Sequence, residues 1–338
     1  MGLWGRCLAS IRLHLVESLA SCDSVSCIVY DSMMPWVLDI AKEFGVFGAS
    51  FFTKSFAVNA IYYSLYKGGI DVPLRENFVC LDEGFPGFRP SDISTFLSDP
   101  IEHTTTIEFM TNQFAALHDA DWILFNTFDS LELQEFEWME KKLPFVSIGP
   151  MIPSIYLNGW LPKDKDYGLS MFESNNEDST MKWLDSKQKS SVVYVSFGSF
   201  TELKEDLMEK VAWGLKLTNR PFLWVVRESE FHKLPHNFIE DTAERGPVVK
   251  WCPQLQVLTH KSVGCFVTHC SWNSMLEALS SGVPLVAMPQ WSDQQTNAKY
   301  VEDVWKIGKT VRVEDRICRR EQIGFCVNEV MEEKLEII

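Results

Sequence analysis

Between Trp251 and Gln294 the chain sets an indole (Trp251), an imidazole (His269), an amide (Asn273), a hydroxyl (Ser274), a carboxylate (Glu277) and a closing polar pair (Asp293, Gln294). Such a set can recognise an anion that also carries hydroxyls and a flat ring. Two apolar runs, 263–267 and 284–288, read as buried parallel strands. Residues 273–279 between them have helical spacing. The unit is therefore strand, tight loop, helix, loop, strand. The loop His269-Cys270-Ser271 lies at the carboxyl end of the first strand and opens the helix. Free backbone N–H groups and the positive end of the helix dipole converge at such a point and favour an anion. His269, Asn273 and Ser274 add side-chain donors, Glu277 can accept from sugar hydroxyls, and Trp251 offers a face to a base.

The elements that must carry these residues alternate along the whole chain. Residues 8–22 read as a helix, 25–30 as a strand ending at Asp31, 35–44 as a helix, 49–52 as a strand ending at Thr53, and 55–66 as a helix. Residues 68–100 are rich in Gly, Pro and Asp and read as an irregular loop. A helix at 106–118, a strand at 122–125 and a helix at 130–141 follow. Residues 148–180 combine Pro, Gly and charge without periodicity and read as a linker. The alternation then resumes with a strand at 192–195, the SFGS loop at 196–199, a helix at 202–215, and strands at 222–226 and 248–251. After the 251–294 stretch come a helix at 295–307, a short strand near 309–313 and a helix at 320–332. The expected domains are 1–147 and 181–338, joined by 148–180, each a doubly wound α/β sheet. Ligands of such sheets bind beyond the carboxyl ends of strands. Asp31, Thr53, Ser199, Trp251, His269 and Asp293 all stand at or just past such ends.

A chain of 338 residues suggests about two domains, and 46% apolar residues suffice for sizeable cores. The formal charge of −15 argues against nucleic acid as a partner. No apolar run is long enough for a membrane span. The N-terminus reads as an irregular end leading into a helix, without a signal-peptide cleavage pattern. The 9 Cys lack CxxC pairing, which fits reduced thiols and a cytoplasmic location. Lys163-Asp164-Lys165-Asp166 contains a DxD, a pattern that binds divalent cations in some transferases, but between lysines in a linker it reads as solvated charge. None of the 7 His shows metal-ligand spacing.

The pieces W-x-P-Q at 251–254, T-H-C-x-W-N-S at 268–274, E-A-L at 277–279, G-V-P at 282–284 and D-Q at 293–294 fall in one register. In that register the stretch resembles the signature box of the plant family-1 UDP-glycosyltransferases. The resemblance covers roughly residues 8–332. It implies a GT-B architecture, two Rossmann-like domains facing across a cleft, with the N-terminal acceptor domain incomplete. It implies UDP-glucose as co-substrate, with no cofactor and no metal. In the implied donor site Trp251 stacks on uracil and Gln254 and Glu277 hold the ribose. His269, Asn273, Ser274 and Ser199 hold the diphosphate, and Trp272, Asp293 and Gln294 face the hexose. Cys252 belongs to the same donor set, and Thr53 is the position that contacts the donor sugar. Gln294 points to glucose, since galactose users of the family tend to carry His there.

Y-D-x-x-x-P-W at 30–36, followed by F-F-T at 51–53, matches the place where the family carries the Asp that orients a catalytic His. Asp31 is therefore the implied catalytic carboxylate. Its alternative is a helix cap. The partner His lies in the family in a Gly-His motif near the first strand, and no His of this chain has that context. The expectation is a chain truncated at both ends, since it also stops at MEEKLEII where relatives continue.

Three functions remain open. One is a glucosyltransferase acting with inversion on a hydroxyl or carboxyl of a small hydrophobic plant metabolite, working as a monomer. A second is a non-catalytic UDP-sugar-binding fragment. The third, an unrelated NAD-binding enzyme, lacks support because no GxGxxG follows any strand. One position departs from the box: Ser271 stands where the family carries Gly. The expectation there is a strained backbone that Gly would relieve.

Overall fold

A computed structural model describes residues 3–21, 24–74, 79–82, 84–97, 100–161, 163–164, 166–167, 177–314 and 317–333. Residues 162, 165 and 168–176 of the expected linker and the final residues 334–338 lie outside the described residues. The chain forms two compact units, one of Met1–Pro90 with Phe96–Met151, the other of Ser91–Thr95 with Ile152–Ile338.

The first unit runs α1 (Leu3–Ala20), β1 (Cys27–Asp31), α2 (Trp36–Glu43), β2 (Phe47–Phe52), α3 (Phe56–Tyr66), α4 (Thr104–Asn112), β3 (Trp122–Phe125), α5 (Leu133–Glu140) and β4 (Val146–Ser147). Its four strands lie in the order β1-β2-β3-β4, all parallel. Crossover helices are what parallel neighbours require. Aromatic rings fill the space between β2, β3 and the helices. Phe52 stacks on Phe125 at 4.6 Å between centroids, and Phe56 and Phe145 each sit 4.9 Å from the same ring.

The second unit runs α6 (Glu177–Asp185), β5 (Val192–Ser196), α7 (Glu205–Thr218), β6 (Phe222–Val225), α8 (Phe238–Thr242), β7 (Val248–Val249), α9 (Gln254–Leu258), β8 (Val263–Thr268), α10 (Trp272–Ser280), β9 (Leu285–Ala287), α11 (Gln294–Lys299), β10 (Gly308–Thr310), β11 (Val313–Glu314), β12 (Ile317–Cys318) and α12 (Arg320–Glu332). The six-stranded sheet has the order β10-β9-β8-β5-β6-β7, again all parallel. From β5 the chain winds outward to β6 and β7. It then returns to β8 on the other side and winds to β9 and β10. The strand order reverses between β5 and β8, and ligands of such sheets bind beyond the strand ends at that point. Apolar runs such as VVYVS and FLWV are buried at every position, as central parallel strands must be. Helices α7 and α12 cover one face. They cross so closely that a Cβ on Gly214 would stand 2.8 Å from Ile323 Cβ.

Several expected elements have different bounds. The helix expected at 106–118 ends at Asn112, and a 3₁₀ turn covers Leu117–Asp119. The Thr111 hydroxyl bonds the carbonyls of Ile107 and Glu108, competing with the backbone where the helix stops. The helix expected at 130–141 starts at Leu133, after a 3₁₀ turn at Asp129–Leu131. The helix expected at 295–307 stops at Lys299 and widens into a π turn over Tyr300–Val304. Trp305 N–H reaches Tyr300 O at 2.7 Å, and the wider turn brings the Trp305 ring 6.3 Å from Trp272. The expected linker contains the start of α6 at Glu177, and the short hairpin β11–β12 went unseen in the sequence. No described helix is long and apolar enough to cross a membrane.

Candidate functional site

The loops after β5 and β8 meet at the strand-order reversal. The first carries Gly198 at φ +71°, a left-handed conformation open to glycine. A Cβ there would lie 2.7 Å from His269 Cε1 and 2.9 Å from its Nε2. The absent side chain is what lets the SFGS loop and the imidazole share one place. His269 is 5% exposed, and its Nδ1 is buried without a hydrogen-bond partner. Burial pushes its imidazole down to about 4, so it is neutral near pH 7. An orphaned buried polar atom costs about 1–3 kcal/mol, which a bound ligand can recover.

The β8–α10 loop is held by its neighbours. Cys270 has φ +67°, uncommon for a residue with a side chain. Its N–H bonds Thr268 Oγ1 at 3.2 Å, and its carbonyl accepts Asn297 Nδ2 at 2.9 Å. The same Asn297 amide bonds Asp293 Oδ2 at 3.0 Å. Asp293 thus steadies the loop through α11. The first-turn N–H groups of α10 have no acceptor within the helix, which leaves them for an anion. Ser271, just before, has φ −64° and ψ 146°. That is ordinary extended backbone, so the expected strain at Ser271 is absent and the unusual dihedral belongs to Cys270.

A second network lies along α10. Tyr194 hydroxyl donates to Gln254 Oε1 at 3.1 Å, which turns Gln254 Nε2 toward Ser274 Oγ (3.1 Å) and Glu277 Oε2 (2.6 Å). Glu277 Oε1 accepts the Tyr167 hydroxyl at 2.8 Å. Burial raises the Glu277 carboxyl, while the bonds from Gln254 and Tyr167 hold it down. A buried carboxylate that aligns donors here can exchange one of them for a diol. Gln294 is buried, and its Oε1 accepts the N–H groups of Gln290 (2.8 Å) and Trp291 (3.1 Å). Those two bonds fix the amide orientation and leave its NH₂ as the group on offer.

The second unit thus gathers Ser199, Trp251, Gln254, His269, Asn273, Ser274, Glu277, Asp293 and Gln294 around β5, β8 and α9–α11. Two expected contributors differ. The Trp272 side chain is 2% exposed with its ring beside Trp305, so it packs inward and does not present a face to a sugar. Cys252 is 3% exposed, its sulfur 3.6 Å from the Tyr194 hydroxyl, so its thiol supports the network from beneath. Asp31 and Thr53 lie in the first unit, at the end of β1 and just past β2. Asp31 Oδ1 accepts the N–H of Met33 at 2.9 Å, and among the described residues no hydrogen bond or ion pair joins it to a His. Asp164 of the DxD accepts the N–H of Ser154 at 2.6 Å. Among the described residues no cluster of three His, Cys, Asp or Glu could hold a metal ion.

Tyr167, Tyr194 and Asn297 were not found from the sequence. Only Asn297 left a signal there, one helical turn after Asp293.

The chain matches the family model for "UDP-glucoronosyl and UDP-glucosyl transferase" over residues 167–336. It is 49% identical over 320 residues to mogroside I-E synthase of Siraitia grosvenorii, covering 94% of this chain and 70% of that protein. It is 48% identical over 309 residues to UDP-glycosyltransferase 74E2 of Arabidopsis thaliana, covering 90% and 68%. Among solved structures it superposes on Os79 of O. sativa in complex with UDP, with a TM-score of 0.86 and 37% identity, covering 96% of this chain and 72% of that one. These matches support the expected fold class, two doubly wound α/β units of the GT-B kind.

Proposed function

Given that this chain belongs to the UDP-glycosyltransferase family and is by that membership a glycosyl-transferring enzyme, we propose that its second unit holds UDP-glucose around His269. Glucose passes from there, with inversion, to a hydroxyl or carboxyl of a small hydrophobic plant metabolite. The observation that carries this reading is the orphaned His269 nitrogen, buried between the glycine of one loop and the first turn of α10. A neutral imidazole and helix N–H groups suit a diphosphate that a protein of charge −15 must hold without a basic surface. Os79, the relative crystallised with UDP, supports the nucleotide.

In this account Trp251 stacks on uracil. Gln254 and Glu277 take the ribose hydroxyls, and His269, Asn273, Ser274 and Ser199 take the diphosphate. Asp293 and the Gln294 NH₂ meet the hexose. The backbone of Trp272 and Cys252, rather than their buried side chains, faces the donor. The acceptor oxygen attacks the anomeric carbon while the bond from that carbon to the β-phosphate oxygen breaks. The electron pair leaves with UDP, and the N–H groups aimed at the phosphate stabilise the developing charge. No metal is required. An alcohol must also lose its proton to a base, which Asp31 would orient and charge. A carboxylate is already ionised at neutral pH and needs no base.

One observation favours a second reading, a UDP-sugar-binding chain with little turnover: Asp31 pairs with the Met33 N–H and with no described His. Incubating the chain with UDP-glucose, EDTA and a panel of phenols and aromatic acids separates the two. The first reading expects UDP release and glucosylated product, with carboxylates served better than phenols. A general base is typically worth about 10²- to 10⁴-fold to an acceptor that must lose a proton, as a phenol must. Tight UDP binding without product would favour the second reading, and absence of any UDP binding would remove both.

A further inference from the structure

The SFGS loop leaves β5 and must present its N–H groups to an anion, while Phe197 and Leu203 anchor it in the core of the second unit. A cavity of about 20 Å³, room for roughly one water, lies there between Gly198, Thr201, Trp224 and Arg227. Hydrogen bonds fix the orientation of the loop's carbonyls. Arg227, just past β6, donates from Nη1 to Ser199 O and from Nη2 to Thr201 O, both at 2.7 Å. Lys233 Nζ donates to Leu203 O at 3.0 Å and is itself held by Glu230 Oε2 at 2.8 Å. Three carbonyls within five residues are thereby turned toward two cations.

A trans peptide points its C=O and the following N–H in opposite directions. Turning the carbonyls of Ser199 and Thr201 to the guanidinium therefore turns the N–H groups of Phe200 and Glu202 away from it. A planar fork with two bonds fixes both peptides at once, and a single ammonium cannot reproduce that. Among the described residues Arg227 forms no salt bridge, and its guanidinium is met by the carbonyl dipoles on the loop's inner side. A peptide chain oriented in this way by a cation behind it is biased toward an anion in front.

We propose that Arg227 is a positioning residue for the diphosphate: it sets the N–H groups of loop 198–202 for the phosphates without touching the nucleotide. This rests on the donor site proposed above. Its specific consequence is a phosphate effect without a nucleoside effect. UDP and uridine are titrated by calorimetry into the wild type, Arg227→Ala and Arg227→Lys, with a melting curve for each protein. The wild type should bind UDP much more tightly than uridine. Arg227→Ala should lose about tenfold or more in UDP affinity and keep its uridine affinity, with Arg227→Lys between the two. Equal losses for UDP and uridine in Arg227→Lys, the variant that keeps charge and bulk, would reduce Arg227 to general support and overturn the proposal. So would unchanged UDP affinity in both variants. A wild type that binds UDP no better than uridine would instead sink the reading of the donor site, and this inference with it.

Discussion

His269 is the residue on which the site turns, and its burial has a measurable signature. Its pKa falls from 6.5 to about 4 in the folded state. Between those values the unfolded chain binds a proton that the folded chain does not. The stability is therefore full above pH 6.5 and is lost as pH falls toward 4, by roughly 2–3 kcal/mol at pH 4.5. In urea titrations from pH 7 to 4.5 the wild type should lose this much stability relative to His269→Gln, in which other titrating groups are unchanged. A difference between the two proteins that stays constant with pH would contradict it. Tyr167 makes the opposite kind of contact, since its hydroxyl occupies Glu277 Oε1, the oxygen proposed for a ribose hydroxyl. Tyr167→Phe should tighten UDP and uridine binding alike, by a fewfold, because no protein donor then competes. Weaker binding of both would show that Tyr167 belongs to the site. Ser271→Gly should shift the melting temperature little, since Ser271 already has relaxed backbone and glycine at that cap costs only a few tenths of a kcal/mol. A clear gain in stability would restore the strained reading. Most of these side chains were legible in the sequence because one register places them all. Arg227 was not, because it acts on backbone carbonyls of a loop far away in the chain, and such bonds leave no residue pattern; Asn297 left only its spacing from Asp293, and its bond to the Cys270 carbonyl left none.

At the scale of elements, the buried parallel strands read directly from apolar runs, and α12 has the bounds its periodicity gave. What sequence periodicity missed were local competitions, such as the Thr111 hydroxyl at the end of α4 and the wide turn after α11. Another is the entry into α3. Glu132 is buried, and its two carboxyl oxygens accept the N–H groups of Phe56 and Ala57, each at 2.9 Å. In sequence it reads only as part of a helix, yet it caps a different helix far up the chain. Burial pushes its carboxyl up to about 8, outweighing the two N–H bonds, and the charge of Glu135 adds to the rise. The folded chain therefore keeps a proton that the unfolded chain releases between pH 4.5 and 8. Relative to Glu132→Gln, the wild type should lose stability as pH rises through that window, by on the order of 3–5 kcal/mol. Glu132→Ala should cost about 2–4 kcal/mol at pH 5, since two buried N–H groups lose their acceptor, and less at pH 8, where the wild type has lost its own pH-dependent stability. Denaturant titrations at pH 5 and pH 8 check both, and a Glu132→Gln difference that is the same at both values would show that Glu132 does not titrate on folding.

At the scale of the molecule, two parallel α/β units divide the labour proposed here. The second presents a donor site at its strand-order reversal, and the first carries Asp31 and Thr53 at its strand ends. The division into two α/β regions was visible in the alternation of elements. That Ser91–Thr95 belongs to the second unit was not, because the segment gains that place through bonds such as Ser292 N–H to Thr95 Oγ1 and Thr296 hydroxyl to Asp92 O. The central claim is that this chain holds a UDP-sugar through His269 and the helix behind it, with no metal. It is tested most directly by calorimetric titration of UDP-glucose, in EDTA, into the wild type and His269→Ala. The account predicts metal-independent binding that weakens about ten- to hundredfold in the variant. Equal affinity in the two proteins, or binding that disappears with EDTA, would contradict it.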